Sequence, residues 1–335
     1  MAAGKGERLK GLTQTIPKAL VQIAGKTLLE HAIERFAKAN IQDITIAVGW
    51  KSDMITDIIT QFENSPEVQI IEVSNYDIGP LQSLTVSLEA IRDEDAIICP
   101  VDLLVSSNSI EAIVSHHTVS QDTLVTLAVD SQSNTGSIVS VDSHGRALGI
   151  QKEVESANSI VKSAMFMVVS SGFLEYCKAA LKSGSRTAVP VLNKIIEDDH
   201  SIKSYDIQEE WFDIDTLPDI LEANRFLLES SQVNHHGAIF IPSGDTMEIG
   251  DLIRLESGIE VGIGVCLKGP CLISGKSKIG DNCTIGPYTS LGTGTQVGDY
   301  CEIQNAVVFG LSKIRNRSKV SDVIINDSER FSMEE

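Results

Sequence analysis

The sequence predicts an α/β chain, a doubly wound domain built on a parallel sheet and followed by a short parallel β-helix. Three observations carry that expectation. A glycine-paired loop opens the chain at Ala2-Ala3-Gly4-Lys5-Gly6-Glu7-Arg8-Leu9, and Pro17-Lys18 follows it. Short apolar runs then alternate with runs of helical period, the pattern of strands covered by helices on both faces. From residue 249 an aliphatic or aromatic residue returns every six positions, which is the period of a β-helix.

The composition sets the class. At 335 residues there is room for two domains and a sizeable core. An apolar content of 42% with 22% charged residues is that of a globular protein. The net charge of −19 argues against nucleic acid or an anionic membrane as partner. It also means that a bound polyphosphate needs locally positive groups and a metal. No apolar run approaches the ~20 residues of a membrane span, and no signal peptide is recognisable. The six cysteines show no CxxC spacing, which fits reduced thiols and a cytoplasmic location.

The opening loop has the chemistry of a phosphate cradle. Two glycines one residue apart let the backbone turn tightly and approach a ligand without a side chain in the way. Arg8 offers a fork of donors for phosphate oxygens, Lys18 a point charge, and Pro17 fixes the backbone that aims Lys18.

After the loop, Leu28 to Ala39 carries Leu28, Leu29, Ala32, Ile33 and Phe36 at helical spacing. Ile44–Val48 reads as a buried strand, residues 53–62 as a helix, Val68–Val73 as a strand. The turn-rich stretch Ser74 to Leu81 follows at a strand's C-terminal end, where ligands collect in open α/β sheets, and a helix over Leu81–Ile91 comes next. Ala96 to Val101 is a short apolar strand with Asp102 at its end. A carboxylate there is costly to bury unless it is paired or binds metal. Leu124–Asp130 and Ser137–Val141 read as strands, and Asp142 to Arg146 as a hairpin turn. A helix from about Pro218 to Leu228 follows Trp211-Phe212-Asp213-Ile214-Asp215-Thr216, with Asp215 as its expected cap.

The six-residue series runs Ile249, Leu255, Val261, Leu267, Ile273, Ile279, Ile285, Leu291, Val297, Ile303, Phe309. Cys271, Cys283 and Cys301 recur in a packing slot of this repeat and are expected to carry no chemistry. The expected domains are 1–228, a linker 229–246 with a solvated His235-His236 pair, the β-helix 247–326 and an acidic tail 327–335.

The string AAGKGERL followed by PKAL resembles the signature of the sugar-nucleotidyltransferase superfamily, and the β-helix resembles the left-handed hexapeptide kind. The resemblance implies a Rossmann-like nucleotidyltransferase domain that couples a nucleoside triphosphate to a sugar 1-phosphate and releases pyrophosphate. It implies nucleotide binding by Ala2, Ala3, Gly4 and Gly6, and catalytic roles for Arg8 on the leaving phosphates and Lys18 on the α-phosphate. Ser74 stands where relatives place a base-reading Gln, and Gly79 opens the element written Gly-Thr-Ala there. Gly136 matches a backbone element touching the acceptor. In Gln151-Lys152-Glu153-Val154 either Glu153, the candidate, or Lys152 takes the acceptor-binding place. Asp102 and Asp213 match two Mg²⁺ ligands. Self-association through the β-helix is expected.

Departures from the family pattern leave alternatives. Ser83-Leu84 is loosely similar to cytidylyltransferases acting on alcohol phosphates such as phosphocholine, and non-catalytic regulatory subunits share the two-domain plan. The retained Arg8 and Lys18 speak for catalysis. A β-helix acetyltransferase would need a His base, and none follows His236. Relatives also place an apolar strand directly before the loop, where Met1 stands here. The expectation is that five to seven apolar residues added upstream would raise stability and activity. Without them, residues 1–8 should be less ordered, or another segment should fill the gap.

Overall fold

In the computed structural model the described residues are all except 10, 61–65, 92–93, 121–122, 231–238, 241–247, 250–251 and 333–335. They form two units, each discontinuous in sequence. The first comprises Met1–Lys5, Pro17–Ala19 and Leu29–Phe212, the second Gly6–Ile16, Leu20–Leu28 and Asp213–Glu335. His235-His236 and most of the linker lie outside the described residues.

In the first unit the apolar-periodic run forms helix α1 (Leu28–Lys38), followed by β1 (Asp43–Val48), α2 (Ser52–Ile59), β2 (Glu67–Glu72) and α3 (Pro80–Ile91). Then come β3 (Ala96–Ile98), α4 (Ser107–Val119), β4 (Thr123–Asp130), β5 (Ile138–Val141), β6 (Ala147–Ile150) and β7 (Ser159–Val169). Helices α5 (Phe173–Lys182) and α6 (Val189–Glu197) and strand β8 (Ser201–Asp206) complete the unit. Thr60 ends α2, and residues 61–62 of the expected second helix lie outside the described residues.

The sheet is mixed rather than parallel. Its order is β8-β4-β7-β5-β6, with β3 also on β7. The β4–β8 pair is parallel, but β7 is antiparallel to β3, β4 and β5. The expectation of a parallel sheet fails because the β5–β6 hairpin reverses the chain. At its tip Asp142 accepts the amides of His144 and Arg146 at 2.8 and 2.9 Å. Those bonds hold its carboxyl below the usual range. One face of the sheet packs on α3, α5 and α6 through Leu84, Val169 and Phe173, the other on α4 through Ile110, Ile113 and Phe166. Strands β1 and β2 pair in parallel as a separate two-stranded sheet.

The start of the chain is fastened into this unit. The Ala2 amide donates to Ala47 O at 2.8 Å, Trp50 N donates to Ala3 O and Val101 N to Met1 O. Ala2 therefore forms a parallel bridge with Val48. Among the described residues no other strand pairs between β1 and β3.

In the second unit the six-residue series builds parallel ladders. Leu255 pairs with Ile273 and Ile273 with Leu291, so one coil takes three repeats. The aliphatic ladders fill the interior with Cys271, Cys283 and Cys301, all buried. At the end of the series Val308, not Phe309, pairs with Leu291. The coil loses a residue at the corner near Asn305, which has a left-handed φ of 43°. Residues Glu329–Ser332, expected within a tail, form an antiparallel strand on Lys319–Asn326.

Helix α7 (Leu217–Ser230) lies against the coils through a buried amide. Asn224 Oδ1 accepts from Ala24 N at 3.0 Å and Ser290 Oγ at 2.8 Å, and its Nδ2 donates to Tyr288 O at 3.2 Å. Gln22 Oε1 accepts from Gly310 N at 2.9 Å. A Cβ on Gly25 would stand 2.4 Å from Leu272 Cδ2, so the loop at 20–28 fits the coils only with glycine there.

Candidate functional site

In the first unit Ala2 and Ala3 are buried, whereas Gly4 and Lys5 are exposed. A Cβ on Gly4 would meet nothing within 4 Å. The fold itself therefore places no steric demand on Gly4, and the space over its backbone is open to a ligand. Lys18 is 8% exposed. Its ammonium is paired with the carboxylate of Asp102, which stands just beyond β3. A buried cation is costly without a partner, and this pair supplies one. Sequence reasoning proposed Lys18 and Asp102 separately and did not foresee that they bond.

Nearby, Arg35 on α1 is buried, and its Nε and Nη2 have no hydrogen-bond partner. Burial pulls its pKa down, partly opposed by the negative charge of Asp102. Sequence reading missed Arg35, because at helical spacing it reads as an ordinary solvated cation.

Ser74 is exposed in the turn after β2. Gly79 has φ 142°, and a Cβ there would lie 2.7 Å from Arg186 O. That same carbonyl accepts the Leu81 amide at 3.0 Å. The glycine is thus required by close packing of two backbones at the start of α3, whatever it does for a ligand. Gly136 is similar: its φ is 96° and its Cβ would lie 2.6 Å from Ser163 O. Gln151 Nε2 donates to Ser137 Oγ at 2.8 Å, so the loop after Gly136 and the loop at 151–153 are neighbours. Lys152 and Glu153 are both exposed there; the Lys152 carbonyl accepts Ser140 Oγ at 2.8 Å.

In the second unit Gly6 has φ 67°, and its carbonyl accepts from Leu9 N at 3.0 Å and Thr13 Oγ1 at 2.8 Å. This turn presents Arg8, whose side chain is 74% exposed and bonds through Nη1 to the Asp215 carboxylate. At the start of α7 Asp219 Oδ2 accepts Asp215 N at 2.9 Å, Thr216 N at 2.6 Å and Thr216 Oγ1 at 2.8 Å. Thr216 and Asp219 have the spacing of a capping box, a signal present in the sequence. Asp213 ends the two-residue strand Phe212–Asp213 and is followed by Asp215 N bonded to Asp213 O at 3.1 Å.

Each carboxylate proposed as a metal ligand offers hard oxygen donors, the kind Mg²⁺ prefers together with phosphate oxygens and water. The donor chemistry of Asp102 and Asp213 fits such an ion.

Comparison with known proteins bears on the family of the chain. A family model described as nucleotidyl transferase matches residues 1–230, and one described as GMPPB C-terminal domain matches residues 267–332. The chain is 27% identical to the bifunctional protein GlmU of Methanocaldococcus jannaschii, across 99% of this chain and 78% of that one. It is 25% identical to a bifunctional sugar-1-phosphate nucleotidylyltransferase/acetyltransferase of Sulfurisphaera tokodaii, across 99% and 79%. Over 68% of this chain and 96% of that structure the fold is similar to that of apo UDP-glucose pyrophosphorylase, with a TM-score of 0.58 at 15% identity.

Proposed function

Because the chain belongs to the nucleotidyl transferase family, we propose that it couples a nucleoside triphosphate to a sugar 1-phosphate and releases pyrophosphate. The observation that carries this reading is the pairing of buried Lys18 with half-buried Asp102. A fold has no need to bury an ammonium, whereas a reaction that gathers negative charge at one phosphorus does. The sugar 1-phosphate as acceptor is supported by the named activity of the Sulfurisphaera relative.

In the proposed reaction an acceptor phosphate oxygen attacks the α-phosphorus in line. A new P–O bond forms there while the bond from that phosphorus to the bridging oxygen breaks, and the electron pair leaves with pyrophosphate. The nucleophile is already an anion, so no general base is required. Positioning and charge neutralisation supply the acceleration, by analogy with phosphoryl transfer. Lys18 neutralises charge on the α-phosphate, and Arg8 neutralises the departing pyrophosphate. The backbone of Ala2, Ala3, Gly4 and Gly6 cradles the triphosphate, with Ser74 and Gly79 on the base side. Gly136 and Glu153 bind the acceptor. Asp102 and Asp213 would hold Mg²⁺, which when bound would neutralise charge on the reacting phosphates. Self-association through the β-helix and a cytoplasmic location belong to the same proposal; no helix of the described residues is long and apolar enough to cross a membrane.

Pyrophosphate release from each nucleoside triphosphate, with and without a panel of sugar 1-phosphates, tests this reading. Release that depends on a sugar 1-phosphate supports it. Release only with alcohol phosphates moves the activity to the cytidylyltransferase class, and no release with any acceptor removes the catalytic reading.

A further inference from the structure

Strand β7 changes partner along one edge. It pairs with β5 as far as Lys162, opposite Ile138, and with β3 from Met167, opposite Ile98. Residues 163–166 lie between those two partners. Both β5 and β3 run antiparallel to β7. The gap is therefore bordered by the end of β3, which leads into Asp102, and by the beginning of β5, which follows Gly136. On its other edge β7 is bulged, and Ala164, Met165 and Phe166 together stand against Ala128 of β4. A bulge re-aims a side chain, and bulges recur beside active sites.

Here the bulge turns one side chain out of the core. Ala164 and Phe166 are buried in the cluster that meets α4, and Met167 is buried in the cluster of the opposite face. Met165 between them is 43% exposed, with φ 70°. A left-handed φ is costly for a residue with a Cβ and free for glycine. Among the described residues of this unit, the other non-glycine residues with such a φ are Asn40, Lys51, Gln151 and Asp199, and all four lie outside its strands. Met165 is thus a long apolar side chain where the core does not need one and the backbone disfavours one. Strain of this kind persists at ligand clamps. The bulge is also fastened to the loops proposed for the acceptor. Ser163 N donates to Ser137 O at 2.8 Å, and Met165 N donates to Ser163 Oγ at 3.3 Å. Gln151 Nε2 donates to Ser137 Oγ at 2.8 Å, which brings the loop carrying Glu153 to the same gap.

Resting on the reading of a sugar 1-phosphate as acceptor, we propose that Met165 is a specificity-determining residue, whose thioether side chain packs on the carbon face of the sugar at the gap between β3 and β5. A sugar ring offers hydroxyls to polar groups and C–H groups to apolar ones. The loops at Gly136 and Glu153 supply backbone and carboxylate contacts, and Met165 supplies the apolar one. An unbranched, polarizable side chain adapts to such a surface. The nucleotide belongs to the opening loop and to Ser74 and Gly79, so Met165 acts on the choice of acceptor and not on that of the nucleotide.

The test measures pyrophosphate release by the full-length parent and by Met165→Gly, Met165→Ala and Met165→Leu, with glucose 1-phosphate, mannose 1-phosphate and N-acetylglucosamine 1-phosphate as acceptors. Met165→Gly and Met165→Ala are expected to raise KM for the parent's best acceptor about tenfold, the usual effect of removing a small apolar contact. KM for the nucleoside triphosphate is expected to stay as in the parent. Met165→Leu keeps the apolar bulk and is expected to keep the parent's acceptor KM. Met165→Gly is expected to melt no lower than the parent, since glycine relieves the left-handed φ and no core contact is lost. An unchanged acceptor KM in the Gly and Ala variants would overturn the proposal, as would both KM values rising together; either result leaves the acceptor reading standing. No release by the parent with any of the three sugar 1-phosphates removes that reading, and the role of Met165 with it.

Discussion

The ammonium of Lys18 is bonded to the carboxylate of Asp102, although 84 residues separate them in the chain. One stands in the turn after the opening loop and the other just beyond β3. Their bond fixes the cation at one point of the first unit. Under the proposed mechanism, removing Lys18 deletes a charge directed at the α-phosphate, and it also removes the ion pair with Asp102. Lys18→Ala is expected to lower turnover by about two orders of magnitude or more, as is typical for a donor directed at developing charge. Melting and pyrophosphate release measured together check this. Near-normal turnover in a folded variant would remove Lys18 from the mechanism.

Asp102→Asn and Asp213→Asn each delete a charged oxygen donor with little change of shape. Both are expected to shift the activity-versus-Mg²⁺ titration to higher concentration. If both variants titrate like the parent, the metal assignment fails.

Gly4 and Gly79 separate two reasons for a glycine. A methyl group on Gly4 meets nothing of the protein, whereas on Gly79 it meets the Arg186 carbonyl at 2.7 Å with φ at 142°. Gly79→Ala is expected to lower stability by about 1–3 kcal/mol, the usual cost of a strained backbone. Gly4→Ala is expected to leave the melting temperature unchanged and to raise KM for the nucleotide. Thermal melts and initial-rate kinetics on the two variants decide between these readings.

Asn224 is fully buried and makes three hydrogen bonds. Asn224→Ala leaves Ala24 N–H and Ser290 Oγ without their acceptor, at about 1–3 kcal/mol for each buried group left unpaired. A denaturant titration should show a lowered midpoint. An unchanged midpoint would mean that water replaces the side chain.

Burial pushes the thiols of Cys177 and Cys271 up to about 12 and that of Cys283 to about 11. At pH 8 their thiolate fractions are on the order of one in a thousand or less, and the thiolate is the reactive form. Cys266 is the half-buried cysteine among six, the others being buried. Alkylation of the native protein followed by peptide mapping should label Cys266 first. Early labelling of Cys271 or Cys283 would contradict the packing role given to them.

Periodicity made much of this fold legible. The six-residue series needed only one pattern repeated, and the ladders Leu255–Ile273–Leu291 follow it. Where the chain dropped a residue near Asn305, the series misplaced Phe309 by one. Strand direction was not legible, since an apolar run reads alike whichever way it pairs. The direction of β7 is set by the Asp142 hairpin and by its three partners. In the site, the glycines of the opening loop and Lys18 carried a recognisable spacing. The partners Asp102 for Lys18 and Asp215 for Arg8 are tertiary facts with no local signal. The bonds of Asp219 to Thr216 follow the capping-box spacing of those two residues, a local signal in the sequence.

The most direct test of the central claim is pyrophosphate release measured across the four ribonucleoside triphosphates and dTTP, each against a panel of sugar 1-phosphates and alcohol phosphates. Mg²⁺-dependent release is expected with at least one sugar 1-phosphate, abolished by Lys18→Ala. Release that is independent of any acceptor, or equal in the parent and the Lys18 variant, would contradict it.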